Sequence, residues 1–309
     1  MPTPASIAGK PKVGQIVAKS GQVIENVHIT TTSGPCVVLT NVSNVTIRNS
    51  EIGPCGAPGN VNSHGIVTIG ASNVTIQSNV IHDVSTGAYI TASSHPIVFE
   101  KNYVYNIRGP FPRGQMIQAN GLKGGSGSSR IACNVSDALP GVRYGVSHDW
   151  HNVEDHINLY ETLGSSSARV EVAYNRVRGG HPSSTSGSGI LAGDGQVGSG
   201  WIWAHHNVVT NVRNVAMAIA GGSNITLENN RIYQNAAVIP INVGLYTNNY
   251  SAGSCTNAAL LNNRVWTSNA NPMWNSGSCA TTVSGQNLND TSLSASMFDE
   301  IPAACEDDE

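Results

Sequence analysis

Charge is scarce in this sequence: charged residues are 11% and aromatics 6% of the 309 positions, and only 3 phenylalanines occur. With a net charge of −3 there is no broad polybasic surface, so nucleic acid and anionic membrane are not expected partners. No apolar run approaches the roughly 20 residues that a bilayer-crossing helix needs, and the chain is expected to be soluble. An export signal is also missing; Met1-Pro2-Thr3-Pro4-Ala5-Ser6 reads as the start of a mature chain from which one has been removed. None of the 6 cysteines sits in a C-x-x-C pair, which argues against a thiolate zinc site.

What fills the sequence is glycine, with 33 residues, together with Asn, Ser, Thr and Val. Such a composition favours many short strands joined by tight turns and leaves little room for helices. A repeat confirms the direction. Asn26-Val27-His28-Ile29, Asn44-Val45-Thr46-Ile47, Asn73-Val74-Thr75-Ile76 and Asn224-Ile225-Thr226-Leu227 are copies of one strand, with weaker copies at Pro96–Phe99, Arg169–Val172 and Asn257–Leu260. Three residues past each copy stands a turn residue: Ser50, Asn79, Asn102, Asn134, Asn175, Asn207, Asn230 and Asn263. Asn tolerates the left-handed backbone conformation and bonds its neighbours, so these positions read as a ladder at one corner. A second apolar pair follows (Val80-Ile81, Tyr103-Val104, Val208-Val209), then a third strand (Gly87–Ile90, Ile157–Leu159, Gly189–Leu191, Ala216–Ile219).

Three strands per turn of chain cannot bury an apolar face alone, whereas turns stacked about 4.8 Å apart can. The expected fold is therefore all-β, a right-handed single-stranded parallel β-helix of about nine or ten coils. We expect a single domain over 1–309, with coils over about 20–270 and a C-terminal cap and acidic tail over 271–309. Cys36 and Cys55 lie 19 apart and Cys255 and Cys279 lie 24 apart, each close to one coil, so both pairs are expected to form disulfides between neighbouring coils. Cys133 and Cys305 could join the tail to the middle coils. Disulfides imply an oxidising compartment, and the expected location is secreted or periplasmic.

The strand, Asn-corner, strand, Gly-strand repeat resembles the right-handed β-helix superfamily of pectate lyases, polygalacturonases, alginate-modifying enzymes and phage tailspikes. Over roughly 100–225, Arg113–Gln118, Glu154–Tyr160, Gly179–Ser183 and Gly193-Asp194 are similar to largely uncharacterised secreted bacterial β-helix repeat proteins. The resemblance implies a protein acting on polysaccharide, without fixing the chemistry. Signatures of the named enzymes are absent; His148-Asp149 and Asp155-His156 echo the alginate-epimerase pattern, and Gly179-Gly180-His181 echoes the polygalacturonase one.

Ladder spacings of 29, 23, 32, 41, 32, 23 and 33 residues show where coils lengthen, and the surplus must loop over the surface around 102–207. That stretch also carries charge: residues 101–180 hold 9 of the 16 basic side chains. Aligning third strands turns Ala88, Ile90, Ile157, Leu159, Ile190 and Ala192 inward. Tyr89, His156, Asn158, Tyr160 and Leu191 then face outward, with Glu161 and Asp194 just after the strand on adjacent coils. Glu161 and Asp194 are expected to form a close pair beside Tyr160, His156 and Asn158.

Three functions compete. β-Elimination on a uronate-containing polysaccharide needs cations or Ca²⁺ against the carboxylate, a base for the C5 proton and an acid for the leaving oxygen. Lys123, Arg130, Arg176 and Arg178 offer charge or a base; His156, His181 and Tyr160 offer proton exchange. This reading is favoured, with Glu161, Asp194, His156, Tyr160 and Lys123 as catalytic candidates. Arg113, Gln118, Arg130, Trp150, Asn158, Arg176, Arg178 and His181 would hold substrate, and Glu154 and Asp155 would hold Ca²⁺. A glycoside hydrolase would use paired carboxylates from Glu154, Asp155, Glu161 and Asp194. A non-catalytic carbohydrate-binding module would use an aromatic platform from Tyr144, Trp150, Tyr160, Trp201 and Trp203. His148, His151, Glu154 and His156 also have spacings compatible with Zn²⁺ or Cu²⁺. A polysaccharide is the expected partner, and a monomer the expected state.

Overall fold

The computed structural model describes residues 2–149, 152–184, 188–195, 198–251, 253–268 and 271–306. Its strands form three long parallel sheets of 10, 11 and 10 members, visited in turn as the chain coils. Taken in the order of the repeat, the first sheet contains Ser72–Gln77, the second Val80–Val84 and the third Ala88–Thr91. Each pairs in parallel with its counterpart on the next coil, as Val80 with Tyr103 and Ala88 with Ile117. The molecule is a right-handed parallel β-helix, and the pattern runs from Lys12–Val13 to Asn287–Leu288, beyond 20–270 at both ends. A two-stranded antiparallel hairpin, Gly141–Arg143 with Val146–His148, projects from the longest coil. Among the described residues no helix is long and apolar enough to cross a membrane.

Stacking explains the repeat. Ile47, Ile76, Phe99, Ile131, Val172, Ala204, Leu227 and Leu260 occupy one interior column of the first sheet, all buried. Each large apolar side chain so buried contributes roughly 1.5–3 kcal/mol, so an interior position that turned polar would be selected against in every coil.

The corner ladder is continuous. The side-chain amide of Asn79 donates to Asn102 Oδ1 at 3.1 Å, Asn102 to Asn134 at 3.0 Å, Asn134 to Asn175 at 2.9 Å and Asn175 to Asn207 at 3.0 Å. Asn207, Asn230 and Asn263 continue it, and Gln286 ends it. The left-handed residue is not the ladder Asn, however, but the one before it: Ser78, Lys101, Cys133, Tyr174 and His206 all have φ between 53° and 58°. That backbone turn aims the next side chain into the coil, where the amide also satisfies a buried carbonyl such as Phe99 O at 2.8 Å.

All six cysteines pair. Cys36–Cys55 and Cys255–Cys279 tie neighbouring coils, and Cys133–Cys305 fastens the C-terminal segment to the middle of the helix.

Candidate functional site

The third sheet turns one row of side chains outward across the coils: Tyr89, Gln118, Asn158, Leu191, Ala218, Tyr246 and Trp274 stand in register. Beside it runs a shorter row, Asn120, Tyr160 and Asp194. Ala88, Ile90, Ile157, Leu159, Ile190 and Ala192 point into the core, as the alternation requires.

Asn158 is the centre of this face. Its Nδ2 donates to Asp155 Oδ2 at 2.8 Å and to Asp194 Oδ2 at 3.2 Å, tying together two carboxyls from neighbouring coils. Its Oδ1 is buried with no partner among the described residues. Burial beside Glu154 pushes the Asp155 carboxyl well above the usual carboxylate range, so it keeps a proton where an exposed aspartate would not. Glu154 in turn accepts from Gln115 Nε2 at 2.5 Å. Asp194 is half-buried, and its second oxygen accepts from the Gly195 backbone at 2.8 Å. The face thus joins a buried carboxyl, whose surroundings favour its protonated form, to an accessible one through a single amide.

Glu161 and Asp194 come together, but not as an opposed side-chain pair. The register shifts between Leu159 and Tyr160, with Gly193 as the extra residue, so that Asp194 stands opposite Tyr160. Gly193 has φ 70°, and a Cβ there would overlap Ile225 and the Gly221 carbonyl, which is why glycine occupies the shift. Glu161 still donates its backbone N–H to the Asp194 carbonyl at 2.8 Å, while its side chain faces Lys123 Nζ at 3.8 Å. Burial, then the charges of Glu161 and Asp194, raise the Tyr160 phenol and keep it protonated.

Arg113 joins the same face. Its guanidinium lies 4.1 Å from the Tyr89 ring centroid and donates to Gln118 Oε1 at 3.2 Å. Its charge and burial together lower the neighbouring His64 to about 4, so that imidazole stays neutral; burial is the larger cause.

Several expected members are elsewhere. His156 does not face outward: near the start of the strand Asp155–Tyr160 it is fully buried, with Nδ1 at 2.7 Å from Ser136 Oγ and Nε2 at 3.2 Å from the Gly179 carbonyl. Alternation fails at this end of the strand, where His156 and Ile157 are both fully buried and His156 is drawn to Ser136 of the second sheet. Arg130 lies on the first sheet between Glu100 and Glu171, bonded to both. Arg178 lies on the second sheet, bonded twice to Asp137 at 2.9 and 2.8 Å and stacked 3.8 Å from the Phe298 ring. Arg176 donates to the Phe298 carbonyl at 2.9 Å, and both arginines line a cavity of about 390 Å³ under the C-terminal segment. His181 lies in the turn leading to Ser188–Asp194, accepting from the Ser183 backbone at 3.1 Å. Trp150 and His151 lie outside the described residues.

The aromatic platform is likewise divided. Tyr144 packs on Tyr103 of the second sheet, and Trp203 belongs to the first, stacked 3.8 Å from His205. His148 bonds the Tyr103 hydroxyl at 3.0 Å, so it shares no site with Glu154 or His156. Sequence reasoning missed Tyr246. Tyr246 stands in the same outward row, two coils from Asp194, packed against Leu191 and Ala218, and burial, then Tyr250, Asp155 and Asp194, raise its phenol. Extending the third-strand alignment to Gly244–Thr247 would have found it.

A family model described as the right-handed beta helix region matches residues 13–155. No curated protein matches in sequence. Among solved structures, the chain is similar to PfbA, a surface adhesin of Streptococcus pneumoniae, with TM-score 0.57 and 14% identity over 85% of this chain and 62% of that one. It is also similar to an alginate lyase from Paenibacillus sp. str. FPU-7, with TM-score 0.54 and 12% identity over 90% and 95%. A third is the catalytic domain of a GH87 alpha-1,3-glucanase in complex with tetrasaccharides, with TM-score 0.51 and 14% identity over 87% and 55%. The chain therefore spans less than two thirds of the adhesin and of the glucanase domain. At such identities these likenesses establish the β-helix and nothing finer.

Proposed function

We propose that this is a secreted or periplasmic protein acting on a polysaccharide that lies across the coils on the outer face of the third sheet, where Asp194 and Tyr160 meet it. The observation that carries the reading is the half-buried Asp194 carboxylate, held by Asn158 Nδ2 at 3.2 Å and standing opposite Tyr160 on this face, where it can accept from a sugar hydroxyl. Tyr89, Tyr246 and Trp274 on the same face offer apolar surface for sugar rings. The β-helix likeness to an alginate lyase and a glucanase domain supports the substrate class, and three disulfides support the compartment.

Of the two cleavage chemistries, the face favours hydrolysis. Elimination from a uronate needs cations against its carboxylate, yet Arg130 and Arg178 are engaged with carboxylates on other sheets, and Arg176 lies beneath the C-terminal segment. Elimination keeps one favourable arrangement: Arg113 over Tyr89, with the protonated Tyr160 phenol available to the leaving oxygen. Incubation with uronate-containing and neutral glycans distinguishes them. New reducing ends without absorbance of an unsaturated uronate mean hydrolysis, absorbance means elimination, and affinity without turnover means a binding module. A panel that yields neither binding nor turnover overturns the reading. Ca²⁺ held by Glu154 and Asp155 would replace the proton at that pair; added Ca²⁺ should then raise the thermal midpoint, and an unchanged midpoint removes the ion from the site.

A further inference from the structure

On the outer face of the second sheet, three successive coils near the N-terminal end present His28, Glu51 and His82, from the strands His28–Thr31, Glu51–Cys55 and Val80–Val84. Their ligand atoms all lie within 4.8 Å of one another. Both imidazoles are oriented by a bond on the far side of the ring. His28 Nε2 lies 2.8 Å from the Gly53 carbonyl, and His82 Nδ1 lies 2.7 Å from Asp83 Oδ2, while Arg108 donates to the other oxygen, Asp83 Oδ1. As neutral rings donating through those nitrogens, the two histidines keep a lone pair on His28 Nδ1 and on His82 Nε2, whereas a protonated His82 would donate to Glu51 as well. Both lone pairs aim at the Glu51 carboxylate, at 3.7 Å from Oε2 and 3.1 Å from Oε1.

Two lone pairs facing a carboxylate repel unless something positive sits between them. Metal-bound histidines carry this same pattern, one nitrogen to the ion and the other donating to a carboxylate or a backbone carbonyl. Distances agree as well. Nitrogen and oxygen ligands at about 2.1 Å from a tetrahedral Zn²⁺ stand roughly 3.4 Å apart, and the two histidine–glutamate separations, each to a different Glu51 oxygen, lie on either side of that value, with the three ligand atoms within 4.8 Å before an ion draws them in. The Tyr105 ring stacks on His82 with centroids 5.1 Å apart and limits its rotation. Side-chain exposures of 14%, 23% and 9% for His28, Glu51 and His82 leave the grouping within reach of solvent.

We propose that His28, Glu51 and His82 bind Zn²⁺, with a fourth position open to water. The ion ties three coils together on the same turns of chain that Cys36–Cys55 joins, and its binding free energy adds to the stability of that end. The site lies on a different sheet from Asn158 and Asp194, and it stands or falls independently of the polysaccharide reading.

The alternative occupant is a proton, with a charged His82 bridging Glu51 and Asp83. Tag-free protein stripped with a chelator and titrated with zinc chloride near pH ~7.5, where imidazoles are largely neutral, separates the two. The site predicts one Zn²⁺ per chain, a higher thermal midpoint when loaded, and a loss of roughly tenfold or more in affinity in His28→Gln and in Glu51→Gln. Ring ¹⁵N resonances of His28 and His82 in the unaltered protein should move on loading, which decides the matter even if a variant fails to fold. No saturable binding, undiminished affinity in both variants, or unmoved His28 and His82 resonances would overturn the proposal.

Discussion

His156 and Ser136 show how one buried polar pair is tolerated inside an apolar solenoid. Ser136 stands in the column of Val104 and Val177, where an apolar side chain is expected, and its hydroxyl meets His156, the most deeply buried histidine among the described residues. Burial lowers His156 to about 4. Because the folded value lies below the unfolded one near 6.5, the stability this neutral imidazole carries is present above about pH 6.5 and is lost as pH falls towards 4. A gap of that size corresponds to about 3 kcal/mol. Asp155 acts in the opposite sense, since its raised carboxyl favours the fold most at low pH and loses that advantage as pH rises. The difference between denaturation profiles of the unaltered chain and His156→Gln isolates the histidine; a pH-independent difference would refute its neutral state. At the face itself, Asp194→Asn and Tyr160→Phe should each lower turnover on the active glycan by about a hundredfold. Both side chains are half-buried at the surface, so thermal midpoints should stay put. Unchanged turnover in both variants would move the reaction off this face.

Among the elements, the corner ladder contributes far more than the matching row of asparagines outside. Asn134 accepts from both the backbone and side-chain N–H of Asn102 and donates to Phe99 O and Asn175 Oδ1, all buried. Asn134→Ala strands the Asn102 N–H and the Phe99 carbonyl in the interior, at about 1–3 kcal/mol each, so a loss of about 3–5 kcal/mol is expected in chemical denaturation. Asn44, by contrast, meets Asn73 at 2.6 Å in an exposed row, with φ 58°. Asn44→Gly keeps that backbone and should cost less than about 1 kcal/mol. Equal losses at the two positions would show that the interior amides do not carry the corner. The ladder was legible in the sequence because stacking imposes the same demand on every coil, and the inward set of the third sheet was legible for the same reason. The site was harder to read. One inserted residue, Gly193, shifts the register, and one residue near a strand's start, His156, is buried rather than outward, and neither leaves a mark in a two-residue alternation. The arginines misled because their partners lie about one coil away: Asp137 is 41 residues from Arg178, and Glu100 and Glu171 are 30 and 41 from Arg130. Such spacings are readable once the coil lengths are known, and Arg130 and Glu171 do occupy one register position.

For the whole molecule, the open question is what the C-terminal segment does for a solenoid already closed by its own stacking. From Asp290 the chain runs back over the outer face of the second sheet. Asp290 pairs with Arg264 at 2.6 Å, Leu293 and Met297 pack with Val208 against Tyr233 and Trp266, and Phe298 lies under Arg178. Cys305 then fastens it to Cys133, 172 residues away. This covers an aromatic row that would otherwise be exposed, on the sheet opposite in role to the proposed glycan face. Closing a loop of that length restricts the unfolded chain by about 5 kcal/mol in the chain-entropy model. The Cys133→Ser, Cys305→Ser double variant should therefore unfold at lower denaturant while keeping its β-sheet circular dichroism, because the coil ladders and the other two disulfides remain. Freed at its end, the segment 290–306 should become the first site of proteolysis, and the uncovered Leu293, Met297, Phe298, Tyr233 and Trp266 should bind a hydrophobic dye. Turnover on the third-sheet face should persist, since the segment packs on the second sheet. If the variant instead loses activity and sheet structure together at one denaturant concentration, the segment is an integral part of the folding unit, not a cover laid over a self-sufficient helix.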